Sequence, residues 1–196
     1  MYLKNFNLCF VQVPNIYEKS VVDYLSKFGC EEDDLMKESL HPQRSCEKMG
    51  VWASRKVELF SVVQNTYERL VYLYQIFYEE DGDKRFHNFG EFIRYIYEQK
   101  ISSTVDQRWY IHTLDNGDVD SDVFRPIEIN DSAMEKVFVD GNGLDEFLSL
   151  VLGVEVKLDL PVLDMKASKF YTDEIKSMVD EMYMDEIEFF NFKYPK

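Results

Sequence analysis

The residues best placed to do chemistry lie in a loop that leaves one apolar run and enters an amphipathic one. The stretch "LCFVQV" (residues 8–13) is continuously rich in apolar side chains and is ended by Pro14, the pattern of a buried strand. Beyond it Val21, Val22, Leu25 and Phe28 recur at helical spacing, and Gly29 supplies a stop. A loop between a buried strand and a helix is an anion site, because the helix's unpaired N–H groups and positive dipole end face whatever sits there. The loop is made of Pro14, Asn15, Ile16, Tyr17, Glu18 and Lys19, with Ser20 in the first helical turn. Lys19 and Ser20 bring a cation and a hydroxyl, whereas Glu18 brings a charge that repels a phosphate.

A second segment has the same plan. Residues 57–63 read as a buried strand. Tyr67, Leu70, Val71, Tyr74, Phe77 and Tyr78 then line one face of a helix beginning near Thr66, taken as its N-cap. Downstream, helices are expected over 89–99, 134–139 and 144–152, the last stopped by Gly153. "DVFRPIEI" (122–129) reads as a third strand, at an edge or bulge because of Pro126. Thr172 caps a final acidic helix with Ile175, Met178, Val179, Met182 and Tyr183 on one face. This order of elements predicts an α/β sandwich with a small, mainly parallel sheet.

The bulk composition narrows the function classes. A chain of 196 residues, 45% hydrophobic and with 15 Phe and 13 Tyr, has material for one well-buried core. Its net charge of −15 disfavours a nucleic-acid backbone, which needs clustered Lys and Arg, and disfavours polyanionic partners generally. Three cysteines, Cys9, Cys30 and Cys46, show no metal-type spacing, and Cys9 is expected in the core. No leader pattern opens the chain and no apolar stretch approaches the ~20 residues of a membrane span, so a soluble, cytoplasmic protein is expected.

The first segment resembles the 5′-phosphosulfate loop of carbohydrate-type sulfotransferases, whose usual form is close to "HIPKTAGTS". "QVPNIYEKS" keeps Pro14 and Ser20, and has Asn15, Glu18 and Lys19 where that family has its catalytic Lys, a Gly and a Thr. "FSVVQNTYERLVYLY" (60–74) is similar to the family's 3′-phosphate motif, roughly "FTFVRNPYDRLVSAY". Asn65, Tyr67, Arg69, Leu70, Val71 and Tyr74 match, while Gln64 and Tyr72 replace the Arg and Ser that grip the phosphate. "KESLHPQRS" (37–45) resembles the "KH-x-T" stretch and brings His41 to a familiar place. Gln107, Arg125 and Glu128, and later Tyr171, Thr172, Tyr183, Asp185, Phe190 and Tyr194, fall in blocks similar to the family's closing regions.

The resemblance implies a single domain over 1–196, a P-loop-like three-layer sandwich with helices flanking the sheet. It implies 3′-phosphoadenosine 5′-phosphosulfate as cofactor, held by residues 14–20 with Gln64 and Tyr72. The reaction is sulfuryl transfer to a hydroxyl on a small molecule or carbohydrate. Lys19 would supply charge in place of the missing Lys, and His41 would accept the acceptor's proton. The substitutions leave an alternative, a catalytically inactive module with the same fold and a protein partner. A third reading sets Lys19 and Ser20 on the Lys and Ser of the pattern G-x-x-x-x-G-K-S. Val13 and Glu18 then stand at its glycines, which argues against an ordinary nucleotide triphosphatase.

Overall fold

The structure is a computed structural model that describes residues 1–13, 15–29, 58–79, 86–99, 107, 136–163 and 166–195. In chain order its elements are β1 (Tyr2–Leu3), β2 (Leu8–Val11), α1 (Glu18–Leu25), β3 (Glu58–Val63), α2 (Thr66–Glu79) and α3 (Phe89–Gln99). β4 (Lys136–Val139), α4 (Leu144–Leu152), α5 (Asp173–Met182) and α6 (Met184–Phe189) follow. The sheet order is β1-β2-β3-β4. β2 and β4 both run parallel to β3, with Phe10 opposite Phe60 and Val63 opposite Val139, and the two-residue β1 is antiparallel to β2. The chain is an α/β protein with a small, mainly parallel sheet.

Strand alternation explains why the sheet is covered on both faces. Leu8 and Phe10 of β2, Phe60 and Val62 of β3 and Phe138 of β4 point to one side, where Val21 and Leu25 of α1 and Leu144, Phe147 and Leu148 of α4 meet them. Phe60 is the hub of that layer, its ring 5.1 Å from Phe10 and 5.4 Å from Phe147. On the other side Val63, Val137 and Val139 pack with Ile187, Phe190 and Phe192 from the C-terminal segment. A further apolar cluster joins α2, α3 and α5 through Leu70, Phe92, Ile93, Ile175 and Val179. Cys9 is buried, as expected of a core residue.

Several local expectations hold. Gly29 and Gly153 end α1's terminal turn and α4 with φ of +74° and +69°, values at which a Cβ is penalised. Thr172 caps α5, accepting the Ile175 N–H at 3.3 Å.

Two expectations are corrected. Residues 136–139 form strand β4, not part of a helix over 134–139: three consecutive β-favouring residues, Val137, Phe138 and Val139, find a parallel partner in β3 and a core on each face. The N-cap of α2 is Asn65, whose Oδ1 accepts the Tyr67 N–H at 3.1 Å, whereas Thr66 is the first helical residue and its hydroxyl turns elsewhere. The strand expected over 122–129 lies outside the described residues, as do Cys30 and Cys46. Among the described residues no helix is long and apolar enough to cross a membrane.

Candidate functional site

Three parallel strands ending on the same side bring their following loops together, the usual place for a ligand in such sheets. Here the loops follow Val11, Val63 and Val139. The first carries Asn15, only 3% exposed, which binds in two directions. Its Nδ2 donates to the Val62 carbonyl at 2.7 Å, fastening the loop to β3. Its Oδ1 accepts the Tyr17 and Glu18 N–H groups at 2.9 and 3.2 Å. An Asn side chain turned onto the amides that follow it caps a helix start in the manner of an Asx turn.

Gln64, 1% exposed at the end of β3, completes the same arrangement. Its Oε1 accepts the Ile16 N–H at 3.3 Å. The amides of Ile16, Tyr17 and Glu18 are therefore all engaged by side chains of this protein. The next two, on Lys19 and Ser20, have no hydrogen-bond partner among the described residues. The Lys19 side chain is exposed and Ser20 is half-buried.

The β4 loop adds an anion. Asp140 sits at φ +50°, and its N–H extends the strand pairing to the Val63 carbonyl at 2.8 Å. Its Oδ1 accepts the Asn65 N–H at 2.9 Å, immediately before α2. The Tyr17 side chain, on the loop after β2, is only 8% exposed. Burial pushes the Asp140 carboxyl up, partly offset by the Asn65 N–H and by the neighbouring Tyr17 hydroxyl. Burial, then the Asp140 charge, raises Glu68 in α2's first turn. The Tyr17 hydroxyl is raised well beyond its usual range by burial, then by Asp140 and Glu68.

Glu18 behaves differently. Loss of solvation pushes its carboxyl up to about 7, against the pull of the chain's amino terminus. A carboxyl held above its ordinary value favours the folded state when protonated. That stability is full below about 4.5 and is lost as pH rises through about 7. Glu18→Gln, neutral at every pH, is expected to exceed the wild type by about 1–2 kcal/mol at about pH 8 and to match it at about pH 4. Urea unfolding at both values checks this; the same difference at each pH would mean that Glu18 titrates ordinarily.

Behind the loops lies a buried polar frame. Gln107 is fully buried: its Oε1 accepts the Gln64 N–H at 2.9 Å and its Nε2 donates to the Gln64 carbonyl at 2.8 Å. Glu186 of α6, also fully buried, accepts the Gln107 N–H at 2.6 Å, Gln107 Nε2 at 2.7 Å and the Thr66 hydroxyl at 2.6 Å. Arg69 is buried in α2, one turn on. Asn65 Nδ2 reaches the Lys193 carbonyl at 2.8 Å, so the C-terminal segment also braces this junction.

Of the residues expected at the site, Asn15, Ile16, Tyr17, Glu18, Lys19, Ser20 and Gln64 come together at the joint of the first two loops. Tyr72 is half-buried and packs with the α2–α3–α5 cluster. Pro14 and His41 lie outside the described residues. Sequence reasoning overlooked Asp140 and Glu186. The run "VFVDGNG" carries a usable signal for the first, β-favouring residues followed by turn residues. Glu186 is one acid among many in an acidic helix and has no such mark.

No family model, curated protein or solved structure matches the chain. Among the described residues no group of three His, Cys, Asp or Glu is placed to hold a metal. What the arrangement can do is therefore a matter of its donors and charges: three loop amides already bonded, two open, and carboxylates at each helix start.

Proposed function

We propose that the chain is a sulfotransferase-type protein, a P-loop-like three-layer sandwich, whose cofactor loop has closed on itself, leaving a catalytically inactive binding or structural module. The observation that carries this reading is the engagement of the Ile16, Tyr17 and Glu18 amides by Gln64 and Asn15. A 5′-phosphosulfate needs those donors free. A cofactor with several negative charges would also meet Asp140 and Glu68, without the Arg that position 64 carries in that family. The scaffold half of the reading is supported by the two strand–loop–helix segments lying side by side in parallel register. A protein partner fits such a module better than a nucleotide.

A second reading, sulfuryl transfer from 3′-phosphoadenosine 5′-phosphosulfate to a carbohydrate or small-molecule hydroxyl, is favoured by the open Lys19 and Ser20 amides. In it the hydroxyl attacks sulfur in line, Lys19 steadies the leaving phosphate and His41 takes the proton. Calorimetry with 3′-phosphoadenosine 5′-phosphate, with ATP and AMP as controls, separates the two. The module predicts no saturable heat at millimolar nucleotide. Saturable binding by the wild type that weakens in Lys19→Ala would replace it with the transferase.

A further inference from the structure

Helix α6 has two sides of opposite character. At about 3.6 residues per turn, Glu186 and Ile187 fall on one side and Met184, Asp185, Glu188 and Phe189 on the other. The inner side is fixed in place. Glu186 is fully buried and accepts from Gln107 and Thr66, and Ile187 packs into two of the apolar clusters. On the outer side Met184 is 55% exposed and Phe189 48%, two large apolar side chains turned to water. The helical order sets the exposed Asp185 and Glu188 side chains between them. Glu181, exposed in the last turn of α5, accepts the hydroxyl of the exposed Tyr97 of α3 at 3.4 Å. Lys176 is the only basic residue between Asp173 and Phe189, and it is paired with Asp180 at 2.5 Å.

We propose that the outer face of α6 is a docking surface for a basic amphipathic segment of another protein. The proposal rests on the reading of the chain as a binding module, and it supplies that module's partner. Met and aromatic side chains are the types enriched at the centres of interfaces, where a few of them carry most of the binding energy. A helix already held from behind by Glu186 and Ile187 loses little freedom when its outer face is covered. Charge then selects the occupant. In a symmetric pair of copies the same patch would meet itself, setting Asp185 and Glu188 against their own equivalents. An anionic lipid surface or a nucleic-acid backbone would meet the same repulsion. A segment with apolar residues on one side and Lys or Arg beside them covers Met184 and Phe189 and answers the carboxylates between them.

The test is fluorescence anisotropy of two labelled helical peptides titrated with the full chain, one built of Leu and Lys and one of Leu and Glu in the same apolar pattern. The Leu–Lys peptide is expected to saturate, more weakly as salt is raised, and the Leu–Glu peptide is not. Met184→Ala and Phe189→Ala should each weaken the Leu–Lys complex about 10-fold, and Glu188→Lys about 5-fold. Leu150→Ala, exposed on α4, should leave it unchanged. Glu188→Lys removes no packing, so it decides the matter if Phe189→Ala loses its stacking on Phe190 and unfolds. No saturation, affinities equal across the variants, or an equal loss in Leu150→Ala would overturn the surface. So would self-association in sedimentation that Phe189→Ala abolishes, which would give the face to a second copy. Saturable binding of 3′-phosphoadenosine 5′-phosphate by the wild type would instead overturn the inactive-module reading, and the peptide ratios would still decide the surface.

Discussion

In Glu186→Ala the chain is expected to lose about 3–5 kcal/mol of stability, a large fraction of what holds a domain of this size together. The carboxylate is fully buried and takes three hydrogen bonds of 2.6–2.7 Å, two from Gln107 and one from Thr66. Truncation takes the acceptor from the Gln107 N–H and the Thr66 hydroxyl and one of two from Gln107 Nε2, and the penalty for an unmade buried hydrogen bond exceeds the worth of a made one. It also removes a negative charge from a region that buries Arg69. Glu186→Gln keeps the shape but turns one acceptor into a donor, so a loss of about 1–3 kcal/mol is expected. Glu188→Ala, exposed on the same short helix, should stay within about 0.5 kcal/mol of the wild type. Urea unfolding of the three variants decides the matter; equal effects at 186 and 188 would mean that the buried frame contributes nothing.

The second large effect is expected at Asn15. Asn15→Ala strips the cap from the Tyr17 and Glu18 amides and leaves the Val62 carbonyl unpaired, for a loss of about 2–4 kcal/mol. The more instructive substitution is Asn15→Lys, which writes back the cation that the sulfotransferase resemblance leads one to look for. In this structure the position is buried and faces two N–H donors. An ammonium there meets donors with no acceptor of its own except the Val62 carbonyl. Asn15→Lys is therefore expected to be at least as unstable as Asn15→Ala and to bind 3′-phosphoadenosine 5′-phosphate no better than the wild type. Thermal unfolding with and without the nucleotide checks both parts. A stable Asn15→Lys protein that gains nucleotide-dependent stabilisation would show that the capping role is dispensable.

The sequence is legible where structure follows from neighbours along the chain. The apolar run from Leu8, the helical spacing of Leu70, Val71 and Tyr74, the stops at Gly29 and Gly153 and the cap at Thr172 are local patterns, and each produces the expected element. Strand β4 was not legible in this way. Met134, Glu135 and Lys136 favour a helix by intrinsic preference, and what makes 136–139 a strand is β3, far back in the chain. The site shows the same division more sharply. That Asn15 and Gln64 flank an anion-type loop is local information. That Asn15 also fastens the loop to Val62, and that Gln64 takes the Ile16 amide, depends on partners 47 and 48 positions away. Reading Asp140 and Glu186 requires the folded neighbourhood, because their charges acquire meaning only from the amides that surround them.

The buried frame also has a consequence for how the chain comes into being. The junction of β3 and α2 is fastened by bonds that span 120 and 128 positions, Thr66 to Glu186 and Asn65 to Lys193. A ribosome delivers residues in order, and contacts of such long range form only after the intervening chain has been ordered. The strands and first helices can associate while synthesis continues, but the clasp on the second loop must wait for α6 to emerge. Nascent chains arrested before residue 186 should hold this joint unfastened, so the site is completed only once residues 186 and 193 are available to fold against it.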